Sequence, residues 1–154
     1  MAGVTQVRAP LSGQVIPLTE VPDPVFAGGM MGDGVAIIPS QGKLFAPFDG
    51  EVAAIFPTGH AVGLRSADGA EILMHIGIDT VALNGKGFKA NVVQGQKVRA
   101  GDVLVDFDIP TIEAAGYKVV TPVIVTNPDE FPNLARQIAT GPITAGNNLY
   151  TVSG

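Results

Sequence analysis

The chain reads as all-β, a single barrel or sandwich of short strands, and three observations lead there. Twenty glycines and twelve prolines punctuate 154 residues, which suits short strands joined by tight turns and disfavours long helices. Hydrophobic residues make up 46% of the chain and charged ones 15%. A domain of this length buries about 68–70% of its unfolded surface, so it needs no disulfide or metal to hold its core. The most apolar run, residues 72–81, alternates: Ile72, Met74, Ile76 and Ile78 fall on one face of a strand, and Leu73, His75, Gly77 and Asp79 on the other.

Residues 5–9 and 14–18 read as a first strand pair around a turn at Pro10-Leu11-Ser12-Gly13. Residues 21–31 are too rich in Pro and Gly for regular structure, yet contain Val25, Phe26, Met30 and Met31. A loop so apolar either roofs the core or offers a docking surface. Strands at 35–38 and 43–46 flank Pro39-Ser40-Gln41-Gly42 as a hairpin. Ala46-Pro47-Phe48-Asp49-Gly50-Glu51-Val52 echoes Ala9-Pro10-Leu11-Ser12-Gly13-Gln14-Val15, so one turn-strand unit is used twice. Residues 51–56, 60–66 and 70–74 form a meander, and both histidines belong to it. Tight loops at Gly95 and Gly101 precede a strand over 103–107. Residues 110–115 form a short helix, with Pro110 near its start and Gly116 at its end. Residues 119–126 and 143–152 read as closing strands, the last a candidate edge, and 129–138 as one or two helical turns interrupted by Pro132. With no linker or low-complexity tract, residues 1–154 are expected to be one domain.

A net charge of −5 and nine scattered basic residues exclude nucleic acid as a partner, because binding a phosphate backbone needs clustered Lys and Arg. The absence of cysteine removes thiolate chemistry and Cys-based zinc sites and fits a reducing cytosol. No signal peptide or membrane span is readable, so no direct membrane insertion is expected. The same sequence would suit a free-standing cytoplasmic protein or one domain of a longer membrane protein.

Chemistry centres on His75, placed outward on an otherwise aliphatic strand beside Gly77, and on His60, which closes Phe56-Pro57-Thr58-Gly59-His60 at the start of the neighbouring strand. Near pH 7 a neutral imidazole offers a nucleophilic nitrogen. Phosphoryl transfer needs positioning and donors beside the moving oxygens, which Thr58 and His60 can supply. The two rings are expected to face each other, in reach of solvent, and to carry a phosphoryl group with no cofactor. A zinc hydrolase is the main competitor, but on a regular strand His75 and Asp79 lie about 13 Å apart, too far to share an ion. His60 and His75 could hold zinc only if a partner brought a further ligand. No Gly-x-Ser-x-Gly is present, Gly28 to Gly34 lacks both phosphate-loop patterns, and sugar-stacking tryptophans are absent. Gly95-x-x-Val98-x-x-Gly101-x-x-Leu104 suggests a biotinyl-type carrier barrel, yet the Met-Lys-Met turn that would take the prosthetic group is missing.

At these residues the sequence resembles the glucose-type enzyme IIA domain of the bacterial phosphoenolpyruvate-dependent sugar phosphotransferase system. The likeness runs through Ala9-Pro10-Leu11-Ser12-Gly13, Val21-Pro22-Asp23-Pro24-Val25-Phe26, Gly32-Asp33-Gly34, Ala46-Pro47-x-Asp49-Gly50 and Thr58-x-His60-Ala61. It is strongest at His75-Ile76-Gly77-Ile78-Asp79-Thr80-Val81, then Gly85-Lys86-Gly87-Phe88 and Thr121-Pro122-Val123. The resemblance implies an antiparallel β-sandwich or barrel with Greek-key-like crossings and one or two very short helices. It implies that His75 takes a phosphoryl group on Nε2 from the histidine-containing phosphocarrier protein and passes it to a cysteine of an enzyme IIB domain during sugar uptake. His60 would support the phosphoryl oxygens, Thr58 would orient His60, and the Gly77 carbonyl would set the tautomer of His75. Both partners would dock on an apolar ring of Val25, Phe26, Met30, Met31, Phe56, Leu73 and Val81, with Asp23 and Asp79 as acidic members. Regulated proteins are a further class of partner left open. Leu73 stands where some relatives have an aromatic residue and Gly28 where they have a charge. The amphipathic N-terminal tail of some free-standing members is absent, so no attachment through it is expected.

Overall fold

The computed structural model describes residues 3–29 and 32–154. Its strands are β1 (Val4–Arg8), β2 (Gly13–Pro17), β3 (Asp33–Pro39), β4 (Lys43–Phe45), β5 (Gly50–Ile55), β6 (Ala61–Ser66) and β7 (Glu71–His75). They continue with β8 (Phe88–Ala90), β9 (Lys97–Val98), β10 (Val103–Phe107), β11 (Thr121–Val125), β12 (Asn133–Arg136), β13 (Gly141–Ile143) and β14 (Asn148–Ser153). Two short α-helices, α1 (Pro24–Ala27) and α2 (Ile109–Ala114), complete the regular elements together with 3-10 turns at Leu18–Glu20 and Thr80–Leu83. An eight-stranded antiparallel sheet runs β13-β2-β3-β11-β7-β6-β5-β9, beside three-stranded sheets β1-β14-β12 and β4-β10-β8. This is the all-β, antiparallel architecture expected from the sequence.

The strand period of two sorts side chains to the two faces of the large sheet. Val35 and Ile37 of β3, Ile72 and Met74 of β7, and Val123 and Val125 of β11 point into the main core. The intervening Ala36 and Ile124, with half-buried Leu73, join Leu18, Val21, Phe26, Ile78 and Val120 in a second cluster on the opposite face. The central strand β11 is therefore buried at all five positions. Tyr150 ties the layers: its fully buried hydroxyl donates to the Val123 carbonyl at 3.1 Å.

Gly34 allows β3 to lie against β11. A Cβ there would stand 2.1 Å from the Val123 oxygen and 2.9 Å from the Ile124 Cα, with backbone rather than a movable side chain in the way. Gly34→Ala is expected to destabilise the fold by about 3 kcal/mol, the upper range for overpacking. Urea denaturation measures this directly.

Several elements differ from the sequence expectation. The first two strands are not partners: β1 pairs with β14, and β2 with β3 and β13. The turn after β3 is a crossing between sheets rather than a hairpin, since β4 pairs with β10. Residues 133–136 form β12 against β14 instead of helical turns. That pairing leaves β14 between two neighbours, so it is not an edge. The apolar loop contains α1, capped by the Asp23 carboxylate, which accepts from the Val25 N–H at 2.9 Å. Met30 and Met31 lie outside the described residues.

Candidate active site

Pairing between β6 and β7 brings the histidines together. Ala61 stands opposite His75, and the Ile76 N–H donates to the His60 carbonyl at 2.7 Å, so one ring leaves the end of β7 and the other the residue just before β6. The ring centroids are 5.1 Å apart at an interplanar angle of 75°. His75 has the parity of Leu73 and therefore lies on the second-cluster face, where Phe26 covers it at a centroid distance of 5.2 Å.

The strand ends at His75, which corrects the reading of 72–81 as one continuous strand. Gly77 has φ +77° and Asp79 φ +60°, turning the chain into the Thr80–Leu83 3-10 segment. Ile78 consequently joins Leu73 in the second cluster instead of following Ile76 into the main core. The strand-based spacing of His75 and Asp79 also lapses, and the Asp79 carboxylate is near enough to favour a charged His75. Among the described residues, no three His, Cys, Asp or Glu side chains converge to hold a metal ion.

The turn after Gly77 fixes the tautomer of His75. Its Nδ1 lies 2.7 Å from the Gly77 carbonyl oxygen. A carbonyl can only accept, so Nδ1 carries the proton and Nε2 keeps its lone pair. Burial lowers the pKa of His75 from its ordinary value, against the opposing pull of the Gly77 carbonyl and of the Asp23 and Asp79 carboxylates. The ring is thus neutral near pH 7.

His60 departs from expectation. It is 1% exposed, so only half-buried His75 is open to solvent. Phe56 packs edge-on against His60 at 5.0 Å and Phe88 at 6.5 Å. Phe88 is the sealing residue that reasoning on the histidines alone misses; its signal is a lone aromatic after Gly85-Lys86-Gly87. Thr58 Oγ1 and His60 Nδ1 are 2.5 Å apart. Burial, and secondarily His75, lowers the pKa of His60 from 6.5 to about 4, keeping it neutral.

Both shifts favour the neutral rings in the folded state. Their contribution to stability is complete above the ordinary value of 6.5 and is lost as pH falls towards the folded value, about 4 for His60. The melting temperature is expected to drop across that window, and His60→Gln to flatten the drop; differential scanning calorimetry against pH checks both.

Of the other residues singled out, Val25, Phe56 and Val81 are exposed at 41%, 44% and 54%. Phe26 is buried, Leu73 and Asp23 are half-buried, and Asp79 is exposed.

The antiparallel β-fold thus sets a half-buried, neutral histidine with a free Nε2 lone pair against a fully buried one, an arrangement suited to nucleophilic chemistry at the exposed ring. The solved glucose permease IIA from Mycoplasma capricolum matches with a TM-score of 0.87 and 37% identity over 97% of this chain and 96% of that one. The family model for the phosphoenolpyruvate-dependent sugar phosphotransferase system, EIIA 1, matches residues 5–131. The chain belongs to that family and is a phosphotransferase domain. It is 51% identical over 129 residues to the PTS system beta-glucoside-specific EIIBCA component of Halalkalibacterium halodurans, covering 84% of this chain and 20% of the relative. With the component of the same name from Dickeya chrysanthemi it shares 50% over 141 residues, 92% of this chain and 22% of the relative. The chain spans about a fifth of the length of these curated relatives.

Proposed function

We propose that residues 1–154 act as one cytoplasmic domain relaying a phosphoryl group from the histidine-containing phosphocarrier protein to a cysteine of an enzyme IIB domain, with His75 as the carrier residue. The observation that carries this reading is the bond between His75 Nδ1 and the Gly77 carbonyl, which leaves Nε2 as the free nucleophile on the only solvent-accessible imidazole. In the first step the Nε2 lone pair attacks the phosphorus of the donor's phosphohistidine. The new N–P bond forms as the donor's breaks, and the donor imidazole leaves with that electron pair. In the second step the acceptor thiolate forms an S–P bond as the N–P bond to His75 breaks, returning His75 to its neutral form.

His60 is the supporting group. With the Thr58 hydroxyl donating to Nδ1, the His60 proton sits on Nε2 and can be donated to a phosphoryl oxygen; as a buried neutral dipole it stabilises moving charge without reorganising. Val25, Phe56 and Val81, with Asp23 and Asp79, are suited to docking both partners, since exposed apolar side chains beside a site mark contact surfaces. The printed names of the relatives favour an acceptor in the same polypeptide system and a β-glucoside as the sugar served.

The test is a two-stage relay. The chain is labelled from phosphoenolpyruvate, enzyme I and the phosphocarrier, freed of them, and mixed with an enzyme IIB domain. Label is expected to leave this chain and appear on the IIB cysteine. A chain that never labels, or label that reaches the thiol only when the phosphocarrier is added back, overturns the proposal.

A further inference from the structure

We propose that Thr80 is a positioning residue for phosphoryl transfer, its hydroxyl holding the Ile76–Gly77 peptide so that the Gly77 carbonyl keeps the proton on Nδ1 of His75. The inference rests on the reading of His75 as the phosphoryl carrier and extends that site to a side chain that touches neither ring.

The turn leaving β7 must place one carbonyl accurately, and a glycine at φ +77° has the freedom to misplace it. Its restraints lie in the surrounding hydrogen bonds. Ile76 donates its N–H to the His60 carbonyl at 2.7 Å, and Ile78 donates to the Lys118 carbonyl at 3.0 Å. Between them, the Ile76 carbonyl belongs to a fully buried residue and accepts from the Thr80 hydroxyl at 2.5 Å. Thr80 is itself fully buried. The Ile76–Gly77 peptide is therefore held on its oxygen by Thr80, and the following carbonyl, that of Gly77, is the one that meets His75. Thr80 also walls the turn: a Cβ on Gly77 would stand 2.5 Å from Thr80 Cγ2 and 2.8 Å from the Lys118 oxygen.

The two halves of the Thr80 side chain have separable tasks. The methyl fills space against Gly77, and the hydroxyl satisfies a buried carbonyl that would otherwise lack a partner and turn away to find one. Rotation of that peptide leaves the next one, Gly77–Ile78, held on its N–H by the Lys118 carbonyl but without its preceding anchor. As its oxygen then drifts from Nδ1, the ring proton can move to Nε2, and the nucleophilic lone pair is lost from the side facing the partner.

Thr80→Val keeps the shape and removes the hydroxyl, whereas Thr80→Ser keeps the hydroxyl and removes the methyl. The readout is the 15N spectrum of the His75 ring, alongside the rate of labelling from the phosphorylated phosphocarrier. Wild type and Thr80→Ser are expected to show a single tautomer protonated on Nδ1. Thr80→Val is expected to show a mixture and to label about tenfold more slowly, by analogy with the low end of the loss when an outer-shell partner of a metal-bound histidine is removed. An unchanged tautomer in Thr80→Val, whatever its rate, overturns the proposal. A mixed tautomer in Thr80→Ser does so as well, and that variant keeps the test decisive if the valine protein fails to fold. Because the tautomer is read without phosphate, failure of wild type to label would count against His75 as carrier, not against Thr80.

Discussion

His75→Gln is expected to abolish labelling by the phosphorylated phosphocarrier, with loss of all detectable transfer. Glutamine approximates the length and polarity of the half-buried imidazole, and its amide N–H can still reach the Gly77 carbonyl, so the fold should survive; circular dichroism confirms that. The amide nitrogen lone pair is delocalised and cannot attack phosphorus, which leaves no nucleophile on the exposed side of the site. His60 cannot substitute, because its ring is 1% exposed and a phosphocarrier cannot reach it. Normal labelling of His75→Gln would remove His75 from its proposed role.

The second large effect is expected at His60 and is asymmetric. His60→Gln should still accept the phosphoryl group, because Nε2 of His75 and its bond to Gly77 remain intact. Transfer onward to the IIB cysteine should fall by about 100-fold or more, the usual loss when a preorganised donor to a developing charge is removed. A quench-flow comparison of the two half-reactions separates these outcomes. Equal slowing of both would assign His60 to the general packing of the site, and an unimpaired second step would deprive it of any part in transfer.

The fold class was legible because glycine and proline spacing, low charge and the β5-β6-β7 meander all pointed the same way. Partner choice among strands was harder to read. Turn chemistry at Ser40-Gln41-Gly42 marks a reversal, but nothing local states that the next strand crosses to β10. Residues 133–136 contain Leu, Ala and Arg, which favour helices, and pairing with β14 overrides that preference. The pairing of the histidines was visible, since adjoining antiparallel strands bring their ends together. The sealing of His60 was not, because Phe56, Phe88 and His75 converge from three separate segments. The turn at Gly77 was half-visible: a glycine permits positive φ, while Asp79 adopts it without any residue-type signal beyond the modest tolerance of Asp for that region.

The site of phosphorylation tests the whole account most directly. Phosphorylated chain, uniformly 15N-labelled, is observed by NMR at alkaline pH, where coupling to phosphorus identifies the modified ring nitrogen. The expected result is one phosphoryl group, on Nε2 of His75, with the proton on Nδ1 and His60 unmodified. A phosphoryl group on Nδ1 of His75, or on His60, would contradict the tautomer and burial on which the proposed chemistry stands.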